Sequence, residues 1–463
     1  MTPEISQTAD SSPPTLSKFG YEQELHRSMT LRDLIVYGLV FMVPIAPFAI
    51  FGSVFDGSHG MVPLTYVIGW IAMTFTALSY REMSRAFPVA GSVYAYAGRG
   101  IAAPAGFLAG WAILLDYLLV PTLLYVIGAQ AMANVLPAIP QWLWVVGFVL
   151  LNTAINLRGI ETTAKANKTF LYAQLLVLAV FCVLAVVAIS RGTNGAHWTT
   201  TPFFNHAEFS SSLVFGALSI AVLSFLGFDA ISTLSEETKG GERVVGRATM
   251  ISLSLVAVLF IVQTYLAALM EPGRTSLGSS DAENNAFYNI SHAIGGHFFQ
   301  DVIAIAVAVS SAVANSMVAQ AATSRLLFSM ARDRQLPRFL RDIHPVRGVP
   351  HKAILLVAAI SLVLGIFFVG QISLLSSLVN FGALFSFLLL HVSVFVHFVL
   401  RGRSRNWRLH ILAPLLGFVI IGYVLINADI HAKIGGLVWL AIGAGILLFL
   451  RLTGRSAKLT IEE

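Results

Sequence analysis

The sequence predicts an all-α integral membrane protein with twelve transmembrane helices, and its composition and spacing lead to this fold class. Hydrophobic residues make up 56% of the 463 residues and charged residues only 11%, against roughly 25% charged residues in an average soluble domain. Apolar stretches of about twenty residues, the length that crosses a bilayer, recur from Leu34 almost to the C-terminus. These stretches are continuous rather than alternating, which excludes a closed β-barrel.

The twelve predicted helices are separated by short polar segments. They cover residues 33–55, 61–86, 102–131, 141–157, 166–189, 212–236, 247–271, 298–329, 352–369, 372–400, 408–427 and 432–452. The longest connections, 190–211, 272–297 and 330–351, are too short for a soluble domain. We therefore expect one transmembrane domain over residues 31–455, with polar tails at 1–30 and 456–463.

The distribution of basic residues predicts the orientation of the chain. All of the 29 Lys and Arg residues except Arg191, Arg274 and Lys433 fall on the side that holds both termini. Because basic loops stay on the inner side of a membrane, both termini are expected in the cytoplasm. The basic residues are scattered rather than gathered in a stripe, which favours the lipid bilayer as partner over nucleic acid. The oligomeric state is left open.

The first helix contains a predicted break near mid-membrane. The break consists of Val43, Pro44, Ile45, Ala46 and Pro47. Two of these five residues lack an N–H, so the helical hydrogen-bond ladder opens here. No glycine occurs between Gly38 and Gly52, so a carboxylate would be held poorly, although Ile45, Ala46 and Phe48 keep donors.

The sixth helix has a comparable weak point at Gly227 and the ionisable Asp229. Two interruptions five helices apart predict two inverted repeats, helices one to five and six to ten, with two helices appended. In such folds the solute binds where the interrupted helices meet.

Only a few charges lie deep in the predicted membrane region, principally Asp116 on the third helix and Asp229 on the sixth. Each costs several kcal/mol unless it is paired, protonated or hydrated. Either acid can accept an ammonium group or carry a coupling proton. The alternatives are structural: Asp229 protonated and bonded to a backbone carbonyl, or Asp116 satisfied by Tyr117 or by another helix.

Several aromatic and polar residues are weaker candidates. Phe225, Phe228, Tyr117 and Tyr125 can offer π-faces to a cation, although packing is the usual role of such rings, and Phe228 is the expected exception. Further candidates are Ser310 and Ser311 as sodium ligands with carbonyls of the first helix, His391 and His397 as proton carriers, and Glu236, Glu237, Arg243, Arg247, Arg325, Arg332 and Asp333 as paired charges that close an inner gate. Helix contacts and topology-setting charges are the alternatives for these residues.

Four segments carry a resemblance to a known family. They are SYREMSRAFPVAGSVYAYAGR, FLAGWAILLDYLL, SFLGFDAISTLSEETKGGERVVGRA and ATSRLLFSMARDRQLP. Together they resemble the amino acid–polyamine–organocation transporter superfamily, over residues 25 to 455. The segments around Asp116 and Asp229 look most like bacterial putrescine importers and related permeases. The resemblance implies a bacterial inner-membrane importer of amino acids or amines that works by alternating access.

The resemblance also bears on coupling. Some proton-coupled members place a lysine on the fifth helix where relatives bind sodium, and the matching position in ANKTFLYAQLL is Gln174. Glutamine cannot carry a proton, which leaves Asp116 or Asp229 as proton carriers and sodium as the alternative.

The residues and the resemblance together predict a secondary active importer of a small organic amine such as putrescine, coupled to H⁺. An α-amino acid permease and a non-transporting solute sensor are the alternatives. No metal cluster, nucleophile motif or phosphate loop indicates an enzyme, and no cofactor is expected.

Overall fold

The computed structural model describes residues 29–87, 92–158, 161–232, 238–239, 242–332, 336–345 and 347–452, and their regular structure is helical. The helices are α1 Leu31–Met42, α2 Ala46–Gly57, α3 Val62–Ala86, α4 Ser92–Gly100, α5 Ala103–Val135, α6 Gln141–Arg158, α7 Glu161–Ser190, α8 Ser211–Ala221, α9 Glu242–Leu269, α10 Ser280–Ala308, α11 Ser316–Arg332, α12 His351–Phe367, α13 Ile372–Val394, α14 Ala413–Asn427 and α15 Ile430–Leu452. The all-helical prediction is confirmed.

Eight helical segments of the described chain are long and apolar enough to cross a membrane. The pair α1 and α2 adds a ninth as one span bent by 47°. The helices α6, α8 and α12 lie where the fourth, sixth and ninth spans are predicted, and α8 and α12 are shorter apolar helices. The chain is therefore a multi-pass membrane protein.

The start of α1 shows how the local sequence sets a helix boundary. Thr30 and Asp33 form a capping box, in which the Thr30 amide donates to Asp33 Oδ2 at 3.0 Å and the Asp33 amide donates to Thr30 Oγ1 at 3.4 Å. Two backbone N–H groups of the first turn are thereby satisfied. Just before it, the Lys239 amide donates to the carbonyl of Met29 at 2.9 Å.

Two connecting segments that the sequence left without regular structure are helical. The first is α4, between the second and third predicted helices. The second is the start of α10 at Ser280, inside the predicted connection 272–297. Gly296, with φ +73°, interrupts this helix close to the predicted start of the eighth helix at residue 298. Neither segment carries the long apolar run that predicts a transmembrane span.

The third predicted helix is the centre of the fold. The apolar window of α5 is 83% buried, against 17% for that of α15, and α5 contacts α4, α6, α10, α11, α12, α13 and α15. Trp111 of α5 and Trp439 of α15 stack at 4.6 Å, and each indole N–H donates to the other's carbonyl at 2.7 Å. This reciprocal pair attaches the peripheral α15 to the central helix.

Candidate functional site

A cavity of about 80 Å³ lies between the α1–α2 break, the end of α8, α5 and α11. At about 10–15 Å³ for each water-sized group, it has room for roughly five to eight such groups. Its lining residues are Phe41, Met42, Val43, Ala46, Ala49, Ile50, Asp116, Tyr117, Val120, Leu123, Leu124, Ile127, Leu223, Ser224, Leu226, Gly227, Asp229, Ser311, Asn315, Ala319, Ala322 and Thr323.

The break in the first span is the predicted segment, and its backbone is already hydrogen-bonded. Val43 has φ 51°, a region that β-branched residues rarely adopt. The Ala46 amide donates to the carbonyl of Val43 at 2.8 Å, and the Phe48 amide donates to that of Ile45 at 3.0 Å. Two of the three donors that the sequence offered for a carboxylate are therefore engaged.

The other residues of the break stabilise the bend and do not face the cavity. Gln263 of α9 donates its side-chain amide to the Pro44 carbonyl at 2.9 Å. Of the five predicted contact residues, Val43 and Ala46 line the cavity, whereas Pro44, Ile45 and Pro47 do not. The polar groups of this segment thus serve the bend itself.

The second break lies at Gly227, which has φ +108°. A Cβ at this position would lie 2.2 Å from the Phe41 ring, so both the backbone conformation and the contact require glycine. Before it, α8 ends in a 3₁₀ turn over Val222–Phe225. The Gly227 amide donates to Asp229 Oδ1 at 3.3 Å. The Asp229 carboxyl therefore accepts a hydrogen bond from the backbone at the break. In the structural alternative, a protonated Asp229 would instead donate to a backbone carbonyl.

Asp116 reaches the same cavity from α5 and is 6% exposed. Its carboxyl makes no hydrogen bond with the described residues, and its Oδ1 is fully enclosed. A Cβ on Gly382 of α13 would lie 2.6 Å from the Ala112 carbonyl and 3.0 Å from the Asp116 amide, so α13 covers this turn. The carboxyl shares this cavity with that of Asp229. An acid kept without a protein partner is available to a cationic ligand.

A proline next to Asp116 shapes the site. Pro121 lies inside α5 and has no N–H for the Tyr117 carbonyl four residues earlier. The Thr323 hydroxyl of α11 takes over, lying 2.6 Å from the Tyr117 carbonyl and 2.7 Å from that of Ala319. The bond between Thr323 and the Tyr117 carbonyl fixes how α11 and α5 are aligned along their axes next to Asp116.

A π-helical turn, Val309–Asn315, joins α10 to α11. It places Ser311 and Asn315 in the cavity lining, but not Ser310. On the opposite side, the Asn152 side-chain amide of α6 donates to the Ala312 carbonyl at 2.7 Å and to Ser316 Oγ at 2.6 Å. Such turns often occur at functional sites because they turn side chains out of the α-helical register.

Of the four aromatic residues predicted to offer π-faces, Tyr117 lines the cavity and Phe225, Phe228 and Tyr125 do not. Phe228 packs 5.7 Å from Tyr80 and 5.8 Å from Phe387, and Phe225 packs 5.4 Å from Phe260. Neither ring is part of the cavity lining, and contact between Phe228 and the solute stays a prediction. Tyr125 is also outside the lining, whereas Tyr117 belongs to it.

The aromatic residue that sequence reasoning missed is Phe41, which lines the cavity two residues before the break begins. Its position at the end of α1 is the signal that would have found it, because the residues flanking a broken helix border the opening.

Three further coupling candidates, Gln174, His391 and His397, lie outside the cavity lining. Gln174 is buried, and its Oε1 has no partner among the described residues. His391 is buried with its ring nitrogens 2.9 Å from Ser79 Oγ and 3.3 Å from Thr76 Oγ1. His397 packs 4.8 Å from Phe87. Hydroxyl contacts on both ring nitrogens favour a structural role for His391.

The predicted inner-gate charges are only partly covered by the structure. Glu236, Glu237, Asp333 and the side chain of Arg243 lie outside the described residues. A different charge cluster, not predicted, has Glu82 at its centre, with the nearest nitrogens of Arg81, Arg85 and His410 at 3.0, 3.3 and 3.3 Å.

Comparisons with known proteins agree with the multi-pass membrane fold, because the matching proteins are membrane transporters. A family model described as amino acid permease matches residues 34–449. The chain is 34% identical over 447 residues to the low-affinity putrescine importer PlaP of Escherichia coli, covering 95% of this chain and 96% of the importer. It is 24% identical over 456 residues to the branched-chain amino acid permease BcaP of Lactococcus lactis, covering 92% and 94%.

A further relative is the methylthioribose transporter of Bacillus subtilis, 24% identical over 411 residues, with 82% of this chain and 83% of the transporter covered. These relatives are transporters rather than enzymes, which confirms the non-enzymatic prediction. Because the family model spans nearly the whole chain, this multi-pass membrane protein belongs to the amino acid permease family of transporters.

Proposed function

We propose that this chain is a secondary active importer of a small organic amine, of which putrescine is the leading candidate. The observation that carries the proposal is the pair of acids, Asp116 and Asp229, in one small cavity whose other walls are mainly apolar. Two carboxylates in apolar surroundings repel each other and favour cations. The similarity to a putrescine importer supports the same solute class.

Electroneutrality suggests how transport is coupled to protons. Two carboxylates carry two negative charges, which one ammonium and one proton together neutralise. With a monoamine, a cavity loaded in this way carries no net charge across the apolar membrane, whereas the second ammonium of putrescine leaves it with one positive charge. We infer that Asp116 and Asp229 share the ammonium and the coupling proton. Sodium held near Ser310 and Ser311 is the competing ion.

The proposed architecture is that of twelve spans in five plus five inverted repeats, lying in a bacterial inner membrane with both termini in the cytoplasm. The bend between α1 and α2 and the opening at Gly227 support this arrangement, because each interrupts the first helix of a proposed repeat. Alternating access then consists of movement of these two spans against the frame formed by α5, α6, α11 and α12.

A branched-chain amino acid permease among the relatives makes an α-amino acid the second candidate solute. Such a solute needs backbone donors for its carboxylate. The engagement of the Ala46 and Phe48 amides within the break and of the Gly227 amide by Asp229 disfavours it.

The test is uptake of labelled putrescine by the purified chain in proteoliposomes. An inward proton gradient should accelerate uptake, and an inward sodium gradient at constant pH should not. Unlabelled short diamines should compete, whereas leucine and isoleucine should not. Uptake of labelled leucine or isoleucine without uptake of putrescine would replace the amine assignment by the amino acid one. Putrescine uptake driven by the sodium gradient would identify sodium, not H⁺, as the coupling ion.

A further inference from the structure

The cavity has two chemically different ends. Two contacts show how α5 is aligned with the segment that runs from the π turn into α11. Thr323 bonds to the Tyr117 carbonyl, and a Cβ on Gly128 would lie 2.3 Å from the Ala312 side chain. The two segments therefore run antiparallel, which sets Asn315 near the height of Tyr125. At about 1.5 Å per residue, this is roughly 13 Å along the helix axis from Asp116.

The wall between these ends is apolar. Beyond Tyr117, which adjoins Asp116, the residues of α5 that line the cavity are Val120, Leu123, Leu124 and Ile127. They recur at helical spacing on one face and present only hydrocarbon. A chain of methylene groups suits such a wall, because it buries apolar surface without leaving a polar group unpaired.

The far end carries neutral polar groups without partners. Asn315 and Ser311 both line the cavity, four residues apart on the π turn. Neither side chain makes a hydrogen bond with any described residue. The hydroxyl groups of Thr323 and Ser224, which also belong to the lining, are engaged within the protein, with the Tyr117 carbonyl and the Tyr66 hydroxyl.

The π turn explains why these two side chains are free. Asn152 bonds to the Ala312 carbonyl and to Ser316 on the opposite side of the turn. The protein's own hydrogen-bonding groups therefore face α6, and the remaining pair is left for whatever occupies the cavity.

We propose, on the basis of the proposed amine import, that Asn315, with Ser311 beside it, binds the far end of the solute as a neutral hydrogen-bonding group. The substrate class is then a short linear alkylamine whose ammonium meets the acids and whose other end carries a hydroxyl, an amide or a second amine. A second ammonium gains no partner charge at this end, because amide and hydroxyl groups recognise hydrogen bonds rather than charge.

The test is competition against labelled putrescine uptake by three compounds: putrescine, 4-amino-1-butanol and butylamine. In the unmodified protein, the amino alcohol should compete within about threefold of putrescine, and butylamine about tenfold more weakly. Pentylamine, which has the same six-atom chain as putrescine, should compete no better than butylamine. Asn315→Leu should remove the difference between amino alcohol and butylamine. Asn315→Asp should shift the preference toward putrescine over amino alcohol by about tenfold, because it adds a charge at the far end.

The matched control is Asn289→Asp, which makes the same chemical change at an exposed residue of α10 and should leave all three values unchanged. An amino alcohol that competes no better than butylamine, or an Asn315→Leu variant that still separates them, would overturn the inference while putrescine uptake still supports the proposed function. Absence of any amine uptake would overturn both.

Discussion

The hydroxyl of Thr323 lies 2.6 Å from the carbonyl of Tyr117, where Pro121 has removed the helical donor. This contact repairs the ladder of α5 one residue from Asp116. A buried carbonyl left unpaired costs about 1–3 kcal/mol, so the contact matters for both stability and the position of the acid.

Thr323→Val should lower stability by about 1–3 kcal/mol and weaken putrescine uptake, because it leaves the Tyr117 carbonyl without its partner. Thr323→Ser keeps the hydroxyl and should behave close to the unmodified protein. Thermal unfolding in detergent and initial uptake rates measure the two effects.

Pro121→Ala gives a second protein in which to test Thr323→Val, because residue 121 then has an N–H that can donate to the Tyr117 carbonyl. In a double-mutant cycle, Thr323→Val should then cost clearly less than it does alone. Equal costs in both backgrounds would show that Thr323 does not act through this carbonyl.

Asp229→Asn and Asp116→Asn should each reduce amine uptake by about ten- to hundredfold, the loss expected when a charge-assisted hydrogen bond to an ammonium becomes neutral. Folding should survive both changes. The side-chain carbonyl that Asp229→Asn introduces can still accept from the Gly227 amide, and Asp116 has no protein hydrogen bond to lose among the described residues. Uptake and thermal unfolding should be measured side by side. Near-normal uptake by either folded variant would exclude that acid from solute binding.

Gly227→Ala should destabilise the second break by about 1–3 kcal/mol, because φ +108° is unfavourable for alanine and its Cβ would strike the Phe41 ring. Adding Phe41→Ala relieves the collision but not the backbone strain, so the double variant should recover only part of the stability. Full recovery would mean that the ring contact alone requires glycine. Yield of folded protein and the unfolding temperature distinguish these outcomes.

Gln263→Met keeps the length of the side chain but removes the donor to the Pro44 carbonyl. We expect a loss of about 1–3 kcal/mol in stability and a higher KM for uptake, because the bend that presents Val43 and Ala46 to the cavity is less well fixed. Gln263→Leu, which also lacks any hydrogen-bonding group, should resemble Gln263→Met. Unchanged KM in both would show that the bend holds without this bond.

The helical class, the acids and the first break were predictable because each leaves a local mark in the sequence. Charges in long apolar runs and a pair of closely spaced prolines stand out without knowledge of packing. Asp116, Asp229, Val43 and Ala46 were recognised on these grounds, and all four line the cavity.

Other features depend on contacts between distant segments. The partner of the Pro44 carbonyl is 219 residues away, so the sequence offered no reason to regard the carbonyl as occupied. The packing of Phe228 against Tyr80 and Phe387 leaves no local mark either, because these rings come from other helices. Asn315 was missed because a π turn changes which side chains share a face, and the apolar pattern of α10 and α11 does not reveal it.

The seven-residue π turn also limits how the cavity can change in evolution. Loss of one residue there would restore an α-helical register and rotate everything after it by about 100°, carrying Thr323 away from the Tyr117 carbonyl. Insertions and deletions in this stretch therefore disrupt both ends of the cavity together. Transporters that share an ancestor with this chain are expected to keep the length of the π turn constant. Their solute preferences should change through substitutions at positions such as 311 and 315.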